Sequence, residues 1–337
     1  MNNFKKIGMT ALAASLVSTS VFAGEMAVTG SASLNMSGHS GGDNLHEATA
    51  FTMGNQLTFS GSGELDNGMT VSLSFVLDQG DATPSPFDGH SVTVSSDAMG
   101  TLKFSGEGGS SAATALDTTA AGDMWDNFNS NGGVSVLDSG TGDNSIMYTL
   151  PSMVDGLSAS LSYNPQSASG ATDHVAAAGA SGNGAEVGYS ATYTGVEGLS
   201  LSYGVADIDQ LGQSALGVTN IAKGEQTAWR ASYAYGPITV AATNSDYDIT
   251  GTTGDQETSS YKISYTVSDA ISIGYGSEDV KSGTTTDLDA EYEGFNASYT
   301  AGGMTISAAM QDGTNISNTT AAAEQVEYWS LGLSFAF

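Results

Sequence analysis

The sequence predicts an all-β fold, a 16-stranded antiparallel transmembrane β-barrel with an inward-folded third external loop. Three observations predict it. Apolar and small polar side chains alternate with period two in segments of about ten residues, the pattern of a strand with oil on one face and water on the other. The connections between segments alternate between tight turns and long loops. Basic residues inside the segments fall out of phase with the apolar stripe.

The N-terminus is set aside first. Residues 1–6 are basic, residues 7–21 are apolar with small residues, and Val21-Phe22-Ala23 fits a small-x-small cleavage site. Residues 1–23 therefore read as a secretory signal peptide, leaving 24–337 as the barrel domain. Cleavage removes Lys5 and Lys6 and leaves five basic residues against 36 acidic ones, a net charge of −31. Such a chain offers no basic face, which excludes nucleic acid as a partner. It holds no cysteine, so an exported chain of this length is stabilised by a large core or a membrane rather than by disulfides.

The segments then run in order. Residues 26–36 carry Val28, Ala32 and Leu34 on one face. Residues 56–65 follow, then 69–78, where Val71, Leu73, Phe75 and Leu77 share a face. Residues 90–96 and 101–107 are the fourth and fifth. After a long gap come 145–150, 157–164, 185–194 and 199–206. Next are 226–235, 238–244, 259–267 and 271–277, then 289–299 and 305–311. In 289–299 the parity slips between Tyr292 and Phe295, and a β-bulge near Glu293-Gly294 is expected to restore it. The last segment, 324–337, reads EQVEYWSLGLSFAF and puts Trp329, Leu331, Leu333, Phe335 and Phe337 on one face.

Asp66-Asn67-Gly68, Gly236-Pro237 and the connections at 97–100, 151–156, 195–198, 268–270 and 301–303 are the tight series, rich in the residues hairpin turns need. A membrane barrel places all its short turns at one end and its long loops at the other. A basic side chain on the lipid face at midplane costs about 2–4 kcal/mol. Lys103, Arg230 and Lys262 each alternate against apolar neighbours and so point to the lumen, while Lys223 and Lys281 fall in external loops. All 14 tyrosines lie from Tyr148 onward, many near segment ends, as expected of rings at a bilayer interface. The Tyr-free first five strands are expected to pack on other copies of the chain.

Residues 108–144 form the longest insertion. It contains Asp117, Asp123, Asp126, Asp138 and Asp143, no basic residue, and the large rings of Trp125 and Phe128. The expectation is a loop folded into the barrel, its rings on the wall and its carboxylates at the narrowest point, facing Lys103, Arg230 and Lys262. The competing reading is an external flap of solvated acids. A constriction about as wide as the Debye length, roughly 8 Å, is not screened across. An acid-rich ring there favours cations.

The alternating strands, the long third loop and the terminal Phe337 resemble the 16-stranded general diffusion porins of Gram-negative outer membranes, the alphaproteobacterial type above all. The resemblance covers the whole mature chain. It implies a multi-pass β-barrel in the cell outer membrane, a homotrimer, one water-filled pore per subunit for passive diffusion of small hydrophilic solutes and ions, and a third loop that constricts it. It also implies contact with outer-membrane lipid and lipopolysaccharide, and a terminal strand with Trp329, Phe335 and Phe337 read by the outer-membrane assembly machinery. The wall departs from such porins in holding only three basic candidates where a dense cluster is usual.

No nucleophile–base arrangement stands out, so no enzyme is expected. His39, His46, His90 and His174 lie in or next to loops; His39 and His46 with Asp43 and Glu47 are metal-ligand types, but their Gly-rich spacing without a strand frame reads as solvated loop. The acidic loops offer oxygen ligands suited to Ca2+, with no EF-hand or GGxGxD repeat to name a site; no other cofactor is expected. Two alternatives stay open: a solute-specific channel of the same fold, and a secreted acidic β-rich surface or adhesin protein.

Overall fold

The computed structural model describes residues 26–41, 49–78, 87–113, 116, 118–131, 133–134, 136, 144–165, 182–211, 223–249, 255–282, 288–318 and 325–337. The proposed signal peptide lies outside these residues. Sixteen strands are present: β1 (Ala27–Gly41), β2 (Thr49–Glu64), β3 (Thr70–Asp78), β4 (Phe87–Ser96), β5 (Gly100–Glu107), β6 (Ser145–Thr149), β7 (Leu157–Asn164) and β8 (Gly182–Tyr193). The second half comprises β9 (Leu199–Leu211), β10 (Lys223–Tyr235), β11 (Ile238–Ile249), β12 (Gln256–Ser268), β13 (Ile271–Ser282), β14 (Ala290–Ala301), β15 (Met304–Thr314) and β16 (Gln325–Ala336).

Each strand pairs antiparallel with the next, and β1 pairs with β16 to close the barrel. At the seam Leu34 faces Leu333 and Gly38 faces Trp329. Phe337 extends the pairing: its N–H donates to the Gly30 carbonyl at 3.0 Å, and the Gly30 N–H donates to the Phe337 carbonyl at 2.7 Å. Closure leaves no free sheet edge, which is what lets a sheet stand in hydrocarbon.

The expected stripes face outward. Leu73, Phe104, Leu201, Ile263, Leu331 and Phe335 are all exposed on the barrel's outer surface, as are Tyr163, Tyr193, Tyr203, Tyr235 and Tyr265. Side chains one residue away face in. The short turns hold as expected. At Gly198 the backbone is left-handed, φ 76°, and an added Cβ would lie 2.3 Å from the Ala234 carbonyl oxygen, so glycine is required there.

Three expectations are corrected. The strands run further toward the long loops than the apolar stripe suggests: β1 ends at Gly41, β9 at Leu211 and β13 at Ser282. Pairing continues past the hydrocarbon while the outward residues turn acidic, so the stripe fades before the ladder does. Lys223 thus opens β10, and Lys281 lies in β13 with its ammonium 3.2 Å from Glu257. Second, His39, which falls beyond the expected first segment, sits in β1; His90 lies in β4, inside the expected fourth segment, and His46 and His174 lie outside the described residues. Third, β14 has no bulge. Its register against β13 and β15 is continuous, with Phe295 outward and Tyr292 buried inside the barrel. The slip in apolar parity came from a tyrosine that faces inward, because the lumen holds an apolar cluster.

Candidate functional site: the loop-lined lumen

Period-two alternation gives the barrel an inner face of small hydroxyl side chains. Ser162 on β7, Thr192 on β8, Ser202 on β9, Thr243 on β11 and Ser260 on β12 all belong to it. The loop between β5 and β6 lies against this face. An extended loop carries unpaired backbone N–H groups that must find acceptors when buried. The wall supplies them. The Ala112 N–H donates to Ser162 Oγ at 2.8 Å, Ala120 to Thr243 Oγ1 at 3.0 Å, and Ala121 to Ser260 Oγ at 2.9 Å. The Trp125 N–H donates to Glu278 Oε1 at 3.1 Å, and the Thr119 hydroxyl donates to Glu278 Oε2. Small residues make room for the backbone: a Cβ on Gly276 would sit 2.9 Å from Ala121 Cβ.

At the loop's far end a 3-10 helical segment, Met124–Asn131, drops Phe128 into a closed apolar nest. Phe128 is fully buried, with ring centroids 5.1 Å from Tyr292 and 6.1 Å from Tyr328. Val280, Ala290, Ile316 and Val326 complete the nest, and Trp125 packs on its edge. His39 joins from β1: its ring is 5.0 Å from that of Tyr328, and its Nε2–H donates to the Asn127 carbonyl at 2.7 Å. Asn127 donates to Gln311 Oε1 at 2.9 Å. Residues 315–318, just after β15, meet the loop here, with the Val134 N–H donating to the Ile316 carbonyl at 2.7 Å. Nearer the loop's start, Ala113 is buried with Ala206, Ile208 and Tyr247. The third long loop is therefore held to the wall from β7 round to β1.

The residues expected at the constriction divide into three groups. Asp117, Asp138 and Asp143 lie outside the described residues. Asp126 is exposed, and its Oδ1 accepts from Asn129 Nδ2 at 3.0 Å. Asp123 is partly buried. Its backbone is left-handed, φ 54°, and its Oδ1 accepts from the Thr119 N–H at 2.8 Å. Burial pushes the Asp123 carboxyl above the usual range, and the neighbouring Asp126 charge adds to this; hydrogen bonds from Thr119 and the Arg230 charge act the other way. Of the expected basic residues, Arg230 donates to the Thr118 carbonyl of the loop. Lys262 shares the inner face of β12 with Ser260, and Lys103 stands exposed on the inner face of β5. Trp329 and Phe335 face outward as expected, and Phe337 is exposed at the end of the terminal strand.

Glu278, Tyr247 and Tyr328 were not singled out in the sequence. Their signal is parity: large or charged residues near the loop end of a strand, on the face opposite the apolar stripe. Among the described residues no group of three or more His, Asp or Glu side chains is placed to hold a metal ion.

The arrangement is a hydroxyl-lined cylinder narrowed from inside by its own loop. A family model described as Gram-negative porin matches residues 8–337. No curated protein matches the chain in sequence. Solved structures match it in fold. An anion-selective porin from Comamonas acidovorans aligns with TM-score 0.69 at 16% identity, covering 93% of this chain and 99% of that one. A Salmonella typhi OmpF, solved in complex with daunomycin, aligns with TM-score 0.66 at 14% identity over 94% and 98%. An engineered variant of the Rh. blastica porin aligns with TM-score 0.61 at 18% identity over 93% and 100%. At such identities the structural likeness is one of fold, and the family rests on the match that runs along nearly the whole chain: the protein belongs to the Gram-negative porins, multi-pass β-barrels of the outer membrane.

Proposed function

We propose that the chain forms a water-filled pore that passes small hydrophilic solutes and ions by passive diffusion, with a preference for cations. One observation carries the reading. A closed barrel with a polar inner face holds its third loop along the wall, and that loop leaves Asp126 exposed while Arg230 donates to a loop carbonyl. In this reading Asp117, Asp123, Asp126 and Asp138 supply the negative potential of the constriction. Trp125 and Phe128 hold the loop in place, and Lys103, Arg230 and Lys262 moderate the field from the wall. Fixed carboxylates at close quarters raise the local concentration of cations. The anion selectivity of the Comamonas porin is a property of that protein's own residues. Reversal potential across a planar bilayer in a salt gradient tests the preference. A potential on the cation side is expected; one on the anion side would reject it.

The working unit is a homotrimer joined through the outer faces of β1 to β5. Those faces carry no tyrosine, and a groove of about 710 Å3 runs over Phe59, Gly61, Gly63, Val71 and Leu73, a notched apolar surface suited to another copy. Lipid and lipopolysaccharide cover the remaining wall, and the terminal strand with Trp329, Phe335 and Phe337 addresses the assembly machinery. Chemical cross-linking in mild detergent is expected to trap three chains; a protein that stays monomeric there would remove the interface.

A further inference from the structure

Glu278 is fully buried on the inner face of β13, under the inward loop. Its two carboxylate oxygens accept from a hydroxyl and a backbone N–H, both uncharged. Thr119 joins it to a second acid. The Thr119 hydroxyl that donates to Glu278 accepts from the Asp123 N–H at 2.8 Å, and the Thr119 N–H donates to the Asp123 carboxylate. Docking the loop therefore takes a carboxyl out of water on the wall and brings another beside it. The other charged or titratable groups around the pair are Asp126 on the loop, Tyr292 on β14, Arg230 on β10 and Lys262, one row below on β12. Arg230 reaches Asp123 only through its field, and its guanidinium is committed to Thr118.

We propose that Asp123 and Glu278 form a proton-dependent lock, so that the loop grips the wall more tightly in acid than in alkali. The proposal rests on the reading that this loop narrows the pore only in its consequence for conductance. Two carboxyls sharing a water-poor site ionise as a coupled pair, and the site disfavours the state in which both are charged. When the loop is free, each carboxyl regains water and releases its proton readily. The docked form thus binds protons more strongly than the undocked form, and linkage makes docking stronger as pH falls. Burial of the Asp123 carboxyl, which raises its affinity for a proton, acts in the same direction.

Hydrogen exchange at the amides of residues 119–125 tests the lock, with rates corrected for the intrinsic pH dependence of exchange. In the wild-type barrel, protection is expected to fall as pH rises through neutrality. Glu278→Gln removes the charge at nearly constant shape while turning one acceptor into a donor, so protection in that variant is expected to lose its pH dependence, whatever its level. Asp123→Asn is expected to flatten the profile in the same way, and it serves as the test if Glu278→Gln yields no heat-resistant barrel. Wild-type protection that is flat or rises with pH would overturn the lock, as would a wild-type profile preserved in the substituted barrels. Single-channel conductance on the same samples separates the two readings. Exchange that follows pH while conductance does not would keep the lock and reject the loop as the constriction.

Discussion

Phe128 is the residue on which the loop turns. It is fully enclosed by side chains from β13, β14, β16 and the loop after β15. Truncating a buried Phe to Ala costs about 3–5 kcal/mol in a packed core. Phe128→Ala is therefore expected to free the loop tip while leaving the barrel closed. The check is single-channel recording, in which the variant should show larger or noisier open levels with unchanged heat resistance of the barrel. Asp123 gives a pH dependence of known sign. Its carboxyl binds a proton more tightly docked than free. Its contribution to docking is most favourable below the ordinary Asp value and is lost as pH climbs through the raised one. Asp123→Asn should remove that dependence from the loop's exchange protection. Trp125 and Phe128 were legible in the sequence as rings too large to sit idle in a loop. Tyr292 was not. Its inward parity read as a defect of register, because nothing in a single strand tells that the lumen holds an apolar nest built from another segment.

Strands were the most legible elements, because a bilayer enforces the apolar stripe along every one of them. Their outer ends were not, because the constraint stops where the hydrocarbon stops. There the outward positions form rows of like charge: Asp207 faces Glu225, Glu225 faces Asp248, Asp246 faces Glu257, Asp279 faces Glu291, and Asp312 lies between Glu293 and Glu327. Like charges directly opposite one another destabilise a sheet, and salt screens exposed charges. The temperature at which the barrel unfolds in detergent is expected to rise when sodium chloride is raised from low to moderate concentration. A fall would mean that attractive pairs such as Lys281 with Glu257 dominate these strand ends. The seam between β1 and β16 offers a sharper element-scale test. A Cβ on Gly30 would lie 2.5 Å from the Phe337 ring. Gly30→Val is expected to displace the terminal ring and lower the yield of heat-resistant barrel; an unchanged yield would show that the ring moves aside freely.

At the scale of the whole molecule, stripes of apolar side chains turn outward around a closed cylinder, and hydroxyl side chains turn inward. The fold was legible because both solvents leave a periodic mark on every strand. The bed of the loop was legible only in part. Arg230 could be assigned to the inner face by parity, but its engagement with the Thr118 carbonyl depends on residues that meet across 112 positions of sequence. Conduction is the consequence of the assembled shape. The central claim is that the loop narrows the cylinder without closing it. Single-channel recording of the purified protein in a planar bilayer tests this most directly. Stepwise, ohmic currents in symmetric salt are predicted at low voltage, with reversal on the cation side once a gradient is imposed. Insertion of folded barrels that carry no current would contradict the account.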